Sequence, residues 1–180
     1  AIIDLIGRPS LSLIGNIANS GRTVALAQSF GLHRNHSAWK ITSEEKDARI
    51  RLWWGVLIND HWSSIAYGIP PSISKGCYDV PLPTLQDLIP VAASQSRNQA
   101  AMSFIQLCSL TQILGEILPL VYRLKHDSEG IGKAVERLQR SLDDWEAQLP
   151  EYVRPAGHET RTLINGNSNL WFCFLSVKLL

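Results

Sequence analysis

Nowhere in the 180 residues does a Cys-x-x-Cys pair occur, and the three cysteines, Cys77, Cys108 and Cys173, are far apart and odd in number. That excludes the paired-ligand spacing of small zinc domains. It also argues against a disulfide framework and for reduced thiols in a reducing compartment. Charge of one sign is equally scarce: seventeen Lys and Arg stand against sixteen Asp and Glu, a net charge of +1. A nucleic-acid-binding module ordinarily shows a concentrated basic stripe, because phosphate neutralisation supplies most of its affinity. Here Arg123 and Lys125, then Lys133, Arg137 and Arg140, are interleaved with acidic residues, so no residue of this chain is read as DNA-binding. Long hydrophobic runs are missing too. The most apolar stretch, 100–124, is interrupted by Gln106, Gln112 and Glu116, which a membrane span of about 20 apolar residues would not carry without a purpose. It reads as a buried core helix, and no membrane partner is expected. The first residues carry no basic segment ahead of an apolar run and do not read as a secretory signal.

Catalytic signatures are absent as well. There is no Gly-x-Ser-x-Gly, no phosphate-binding glycine loop and no His-Glu-x-x-His. His33, His36 and His61 are candidate bases and Cys77 a candidate nucleophile, but a nucleophile needs a base within hydrogen-bond reach and a third group orienting that base. Surface or interhelical histidines are the better reading, and the chain is read as non-enzymatic with no catalytic residue. His33 and His36 lie three apart with Cys77 tied to them by no ligand spacing, so no metal site and no cofactor are assigned within the chain.

What the sequence does hold is helical periodicity. With 45% hydrophobic and 18% charged residues it is a globular chain long enough for a real core. A first helix runs from about Ser10 to Phe30 on a broken stripe of Leu11, Ile14, Ile17, Ala18, Ala25 and Ala27, stopped by Gly31. Thr42 with Glu45 three residues on starts a second, whose inward face is Ile50, Trp53, Trp54, Leu57, Ile58, Trp62 and Ile65, and which Gly68 and Pro70-Pro71 end. Pro70, Pro71, Pro81, Pro83 and Pro90 deny 69–90 a long helix, and that stretch reads as a Pro-rich ordered strap carrying Tyr78, Val80 and Leu82. Helical spacing resumes from about Ser94 to Lys125, with Pro119 expected to kink it. After a turn from Asp127 to Gly132, Ile131, Ala134, Val135, Leu138, Leu142, Trp145 and Leu149 form the cleanest amphipathic stripe, closed by Pro150. A polar loop follows to about Asn169, then an apolar segment from Leu170 to Leu180. The fold class is all-α. Ala1 starts within an apolar segment and Leu180 ends within a helix, so the domain is expected to be truncated at both ends, with apolar surface exposed near 170–180 and poor solubility.

Two features need a structural account. Trp53 and Trp54 are adjacent, so on a helix they diverge by about 100°. One is expected in the main core and the other against a neighbouring helix or loop. Asp60 shares a face with Trp53 and Val56, where a carboxylate must be paired or hydrogen-bonded to offset its desolvation. The preferred role is an anchor for the Pro-rich strap through backbone N–H groups.

The order of residues adds a further signal. The run Ala25 to Arg34, which contains Gly31, Leu32, His33 and Arg34, is followed by Trp39, Glu45, Arg49, Arg51, Leu52, Trp53, Trp54, Asp60, Ser64, Gly68, Pro70, Ile73 and then Tyr78, Asp79, Pro81 and Pro83. This series resembles the fungal-specific transcription factor domain, the middle homology or xylanolytic-type regulatory region of fungal zinc binuclear cluster transcription factors. The resemblance is best over 25–83 and looser over 138–150, where Leu142, Trp145, Leu149 and Pro150 fit the pattern. His61 and Ile69 depart from it, each standing where the family usually has Arg. The resemblance implies that 1–180 is a partial regulatory domain of a nuclear protein modulating RNA polymerase II transcription. It places zinc and the DNA contacts in a zinc-cluster domain outside this chain, and offers a homodimer, transcriptional co-regulators or a small-molecule effector as further partners. The other reading is a helical metabolite-sensing or protein-interaction domain without DNA binding of its own.

Overall fold

The computed structural model describes residues 13–89, 93–124, 128–154 and 166–180. Along them run α1 (Leu13–Ser29), α2 (Ser43–Tyr67), the short α3 (Leu85–Leu88), α4 (Gln95–Val121), α5 (Ser128–Gln148), a 3-10 turn (Glu151–Val153) and α6 (Asn167–Lys178), with no strand among the described residues. The all-α reading holds. The chain divides into two compact units, Ala1–Pro81 and Leu82–Leu180.

In the first unit α1 and α2 run antiparallel, since Arg49 reaches the carbonyl of Phe30 while Asn59 reaches the hydroxyl of Ser20. The Thr42 hydroxyl caps α2 by accepting the Glu45 amide at 3.2 Å. Glu45 does not return the bond of a full capping box; its carboxylate takes Arg49 Nε at 3.1 Å instead. Gly31 and Gly68 end the two helices in left-handed conformations with φ 67° and 66°. The inward face of α1 differs from its expected stripe. Ser20, Thr23, Val24 and Ala27 are buried, whereas Ala18 and Ala25 face solvent; Leu11 and the side chain of Ile14 lie outside the described residues. The periodicity was helical but the phase was wrong, because small polar residues pack the close α1–α2 contact. Thr23 there donates back to the Asn19 carbonyl at 2.8 Å.

In the second unit α5, the 3-10 turn and α6 pack on α4. By length and composition α4 could cross a bilayer, yet Ala101, Cys108, Leu110, Leu114 and Leu118 are buried here against protein. Ser94 caps it, and it continues only two residues past Pro119. Leu138, Leu142, Trp145 and Leu149 are buried as expected, while Val135 is exposed. The turn expected from Asp127 to Gly132 is instead helix from Ser128 onward, with Asp127 outside the described residues. Gly130 and Gly132 each cost a helix about 1 kcal/mol relative to Ala, a penalty that the buried stripe downstream outweighs. The stretch 69–90 holds one helical turn, α3, where the Thr84 amide and hydroxyl both donate to Asp87 Oδ2 at 2.6 and 2.7 Å; Pro90 lies outside the described residues.

Polar side chains lock α6 in place. Asn167 Nδ2 donates to the Tyr152 carbonyl at 2.9 Å and Trp171 Nε1 to that of Val153 at 2.8 Å. Leu170, Phe174 and Val177 are buried, with Phe174 against Trp145 at 5.2 Å. Phe172, Leu175, Leu179 and Leu180 are exposed, the apolar surface anticipated there. Gly166 opens the helix at φ 99°, and a Cβ on it would meet Ser103 Cβ at 3.3 Å. Both the backbone and the space demand glycine, so Gly166→Ala should destabilise the chain by about 1–3 kcal/mol. Chemical denaturation would read this as a lower midpoint at unchanged slope, and an unchanged midpoint would show that Ser103 and the helix start give way freely.

Candidate functional site

Several of the residues singled out by their order, Trp53, Trp54, Asp60, Ser64, Ile73 and Tyr78, pack on or against α2. Trp53 and Trp54 are both fully buried, and they do not part company as expected. Tyr78 lies against both, with ring centroids 5.5 Å from Trp53 and 6.4 Å from Trp54. The divergence of about 100° holds at the backbone, but each indole is long enough for one ring from the returning loop to touch both. Trp54 Nε1 donates to the Pro81 carbonyl at 2.8 Å. On the other side His33, half-buried, stands 6.1 Å from Trp53.

Asp60 supplies the anchor. It is 4% exposed, and its two oxygens accept the backbone N–H groups of Ser72 at 3.0 Å and Ile73 at 2.9 Å. His61, equally buried, places Nδ1 3.5 Å from Asp60 Oδ2. Burial works to raise the Asp60 pKa, but His61 and the Ile73 and Ser72 amides outweigh it and hold the carboxyl below its ordinary 3.8. Ser64, also buried, closes the turn after α2. Its carbonyl accepts the Gly68 and Ile69 amides, and its hydroxyl donates to the Ile69 carbonyl.

The segments 31–36 and 78–81 are tied to each other. The Asp79 amide donates to the His33 carbonyl at 3.1 Å, and the Asp79 carboxylate accepts the Asn35 amide. His36, 2% exposed, bridges the Arg34 and Lys46 carbonyls with its two ring nitrogens at 3.2 and 2.9 Å. Arg49 joins α2 to the end of α1, donating to Phe30 and lying 5.2 Å from the Trp39 ring centroid. Leu32 is half-buried, its amide on the Ala27 carbonyl. Arg34, Arg51, Leu52 and Pro70 face solvent, and Pro83 is buried in the second unit. Sequence reasoning missed the roles of His36 and Trp39, since nothing in a single histidine or tryptophan between helices announces a backbone bridge or a cation partner.

Chemically, this is a closed corner. The described residues contain no group of three His, Cys, Asp or Glu able to hold a metal. Burial pushes the Cys108 thiol far above its ordinary range and the Cys173 thiol up to about 11, which keeps both protonated and poorly nucleophilic at neutral pH.

Asp60→Ala leaves the buried Ile73 amide and the Ser72 amide without their acceptor and should cost about 2–5 kcal/mol, read by denaturant unfolding; wild-type stability would mean that other contacts hold the loop. The pH dependence has a definite sign. The folded carboxyl takes up its proton less readily than the unfolded one, so its contribution is complete above pH 3.8 and is lost as the pH falls through the lower folded value. In Asp60→Asn that acid-dependent loss should disappear from the stability profile, and its persistence would assign it to another carboxylate.

The family profile of the fungal specific transcription factor domain matches residues 8–147. An uncharacterized transcriptional regulatory protein of Schizosaccharomyces pombe is 28% identical over 125 residues, covering 69% of this chain and 19% of that protein. The thiamine repressible genes regulatory protein of the same yeast is 30% identical over 139 residues, 77% of this chain and 18% of its own length. The transcriptional activator protein DAL81 of Saccharomyces cerevisiae is 24% identical over 97% of this chain and 24% of its own. The chain thus spans about a fifth of the length of the curated relatives it matches. No solved structure matches it significantly. With the profile covering most of its length, the chain belongs to the fungal specific transcription factor domain family.

Proposed function

We propose that this chain is a non-catalytic regulatory domain of a nuclear zinc-cluster transcription factor, modulating transcription by RNA polymerase II, with zinc and DNA held by a domain outside residues 1–180. The observation that carries the reading is the family match over 8–147, together with relatives whose names are those of transcriptional regulators and activators. The corner around Asp60 supports it from the physical side. Asp60 and His36 turn their polar atoms to backbone amides and carbonyls, an arrangement suited to holding a shape rather than to turning over a substrate. A second reading, a protein-interaction domain that does not depend on an attached DNA-binding domain, draws on the exposed Phe172, Leu175, Leu179 and Leu180.

The test places the chain between a heterologous DNA-binding domain and an activation domain in fungal cells, with a reporter as readout. Under the regulatory reading reporter output changes several-fold relative to an inert linker of equal length, and Asp60→Ala abolishes the change at equal protein level. Output indistinguishable from the linker, with the chain folded, would overturn it.

A further inference from the structure

The solvent side of α1 is unlike that of a helix designed to face water. Its one charged residue is Arg22; Ala18, Gly21 and Ala25 are small, and Leu26 is 56% exposed. Within the same chain α5 shows the ordinary pattern, its exposed face carrying Lys133, Glu136, Arg137, Arg140, Asp143 and Asp144. Phe30, 68% exposed, stands one turn beyond Leu26, its amide on the Leu26 carbonyl at 3.1 Å. Trp39 is brought alongside. Arg49 bonds the Phe30 carbonyl while lying over the Trp39 ring, and a Cβ at Gly31 would sit 3.5 Å from that ring. Arg22, Leu26 and Phe30 recur every four residues, the spacing of one helix stripe, and the Trp39 ring lies beside Gly31, where the helix ends.

Charge selects the occupant. Between residues 13 and 43 the sequence contains Arg22, Arg34 and Lys40 and no Asp or Glu, and all three cations are exposed. The nearest following carboxylates, Glu44 and Glu45, belong to the first turn of α2, and Glu45 is engaged by Arg49; the Asp79 carboxylate reaches the 31–36 turn, where it accepts the Asn35 amide, so Arg22 and Lys40 carry most of the selection. We propose that the Leu26–Phe30–Trp39 face is a docking surface for an acidic amphipathic helix of a partner protein. Apolar residues of the partner one turn apart cover Leu26, Phe30 and Trp39, and its carboxylates meet Arg22, Arg34 and Lys40. Recognition of a helix by an apolar face with flanking charges needs no rearrangement of the corner beneath.

A labelled peptide of about four helical turns, with Leu and Phe at one-turn spacing and Asp and Glu elsewhere, tests this by fluorescence anisotropy against the full 180-residue chain. The control peptide carries Lys in place of every acid. The acidic peptide should bind and the basic one should not, and binding should weaken between about 0.1 and about 1 M salt, as the Debye length falls from ~10 to ~3 Å. Leu26→Ser with Phe30→Ser should raise Kd about tenfold or more, as expected when anchoring apolar residues are removed. Arg22→Glu with Lys40→Glu should transfer binding from the acidic to the basic peptide, and it carries the test alone should the serine pair lose its circular dichroism. Equal binding of both peptides, binding by neither, or binding that survives both variants would overturn the proposal. So would self-association of the chain through these residues in sedimentation, or capture by phosphatidylserine vesicles in place of the peptide. The readout is independent of transcription, so its failure leaves the regulatory reading standing.

Discussion

A buried carboxylate with two backbone amides on it governs the first unit. Taking a carboxylate out of water costs several kcal/mol unless its oxygens are bonded, and Asp60 on α2 is only 4% exposed. Ser72 and Ile73 must therefore present their N–H groups to it, which brings the chain back across α2 after Pro70-Pro71. Once there, the returning segment lays Tyr78 against Trp53 and Trp54, sets the Pro81 carbonyl on the Trp54 indole and carries Asp79 to the 31–36 turn. One local electrostatic requirement thereby positions some ten residues of irregular chain.

The second unit applies the same device with different donors. Carbonyls at the end of α5 and in the 3-10 turn after it are met by side chains. Arg154 donates to Ala147 and Leu149, Asn167 to Tyr152 and Trp171 to Val153. Long polar side chains bonded to main-chain carbonyls hold a turn without requiring a repeating pattern, and buried polar groups left unpaired would each cost more than such a bond gains.

That distinction explains what the sequence made legible. Helix starts at Thr42 and Ser94 could be read because a cap is a local chemical event, and the α5 stripe of Leu138, Leu142 and Trp145 could be read because burial repeats at helical spacing. The anchoring role of Asp60 was also within reach, since an acid on a tryptophan face demands acceptor bonding. What could not be read was the partner in long-range contacts. Tyr78 touching both indoles, His36 bridging two carbonyls and Arg49 over Trp39 each depend on where a loop returns. The phase of α1 failed for a related reason: Ser20 and Thr23 look like solvent-facing residues, and only the closeness of α2 turns them inward.

The tightness of the corner bears on how a regulatory domain of this kind can respond to anything. A ligand or partner shifts an equilibrium only by its differential affinity for two states, so the responding element needs a second arrangement within a few kcal/mol. The 69–81 segment is poorly placed for that role, because releasing it would leave Asp60 buried without its amides and strip Tyr78 from two tryptophans at once. The outer surface of α1 carries no such constraint. Leu26 and Phe30 already face water at a hydrophobic cost of about 25 cal/mol per Å², and covering them requires no native contact to break. An input arriving there would add a partner while leaving the Asp60 bonds and the Tyr78 packing of the corner in place.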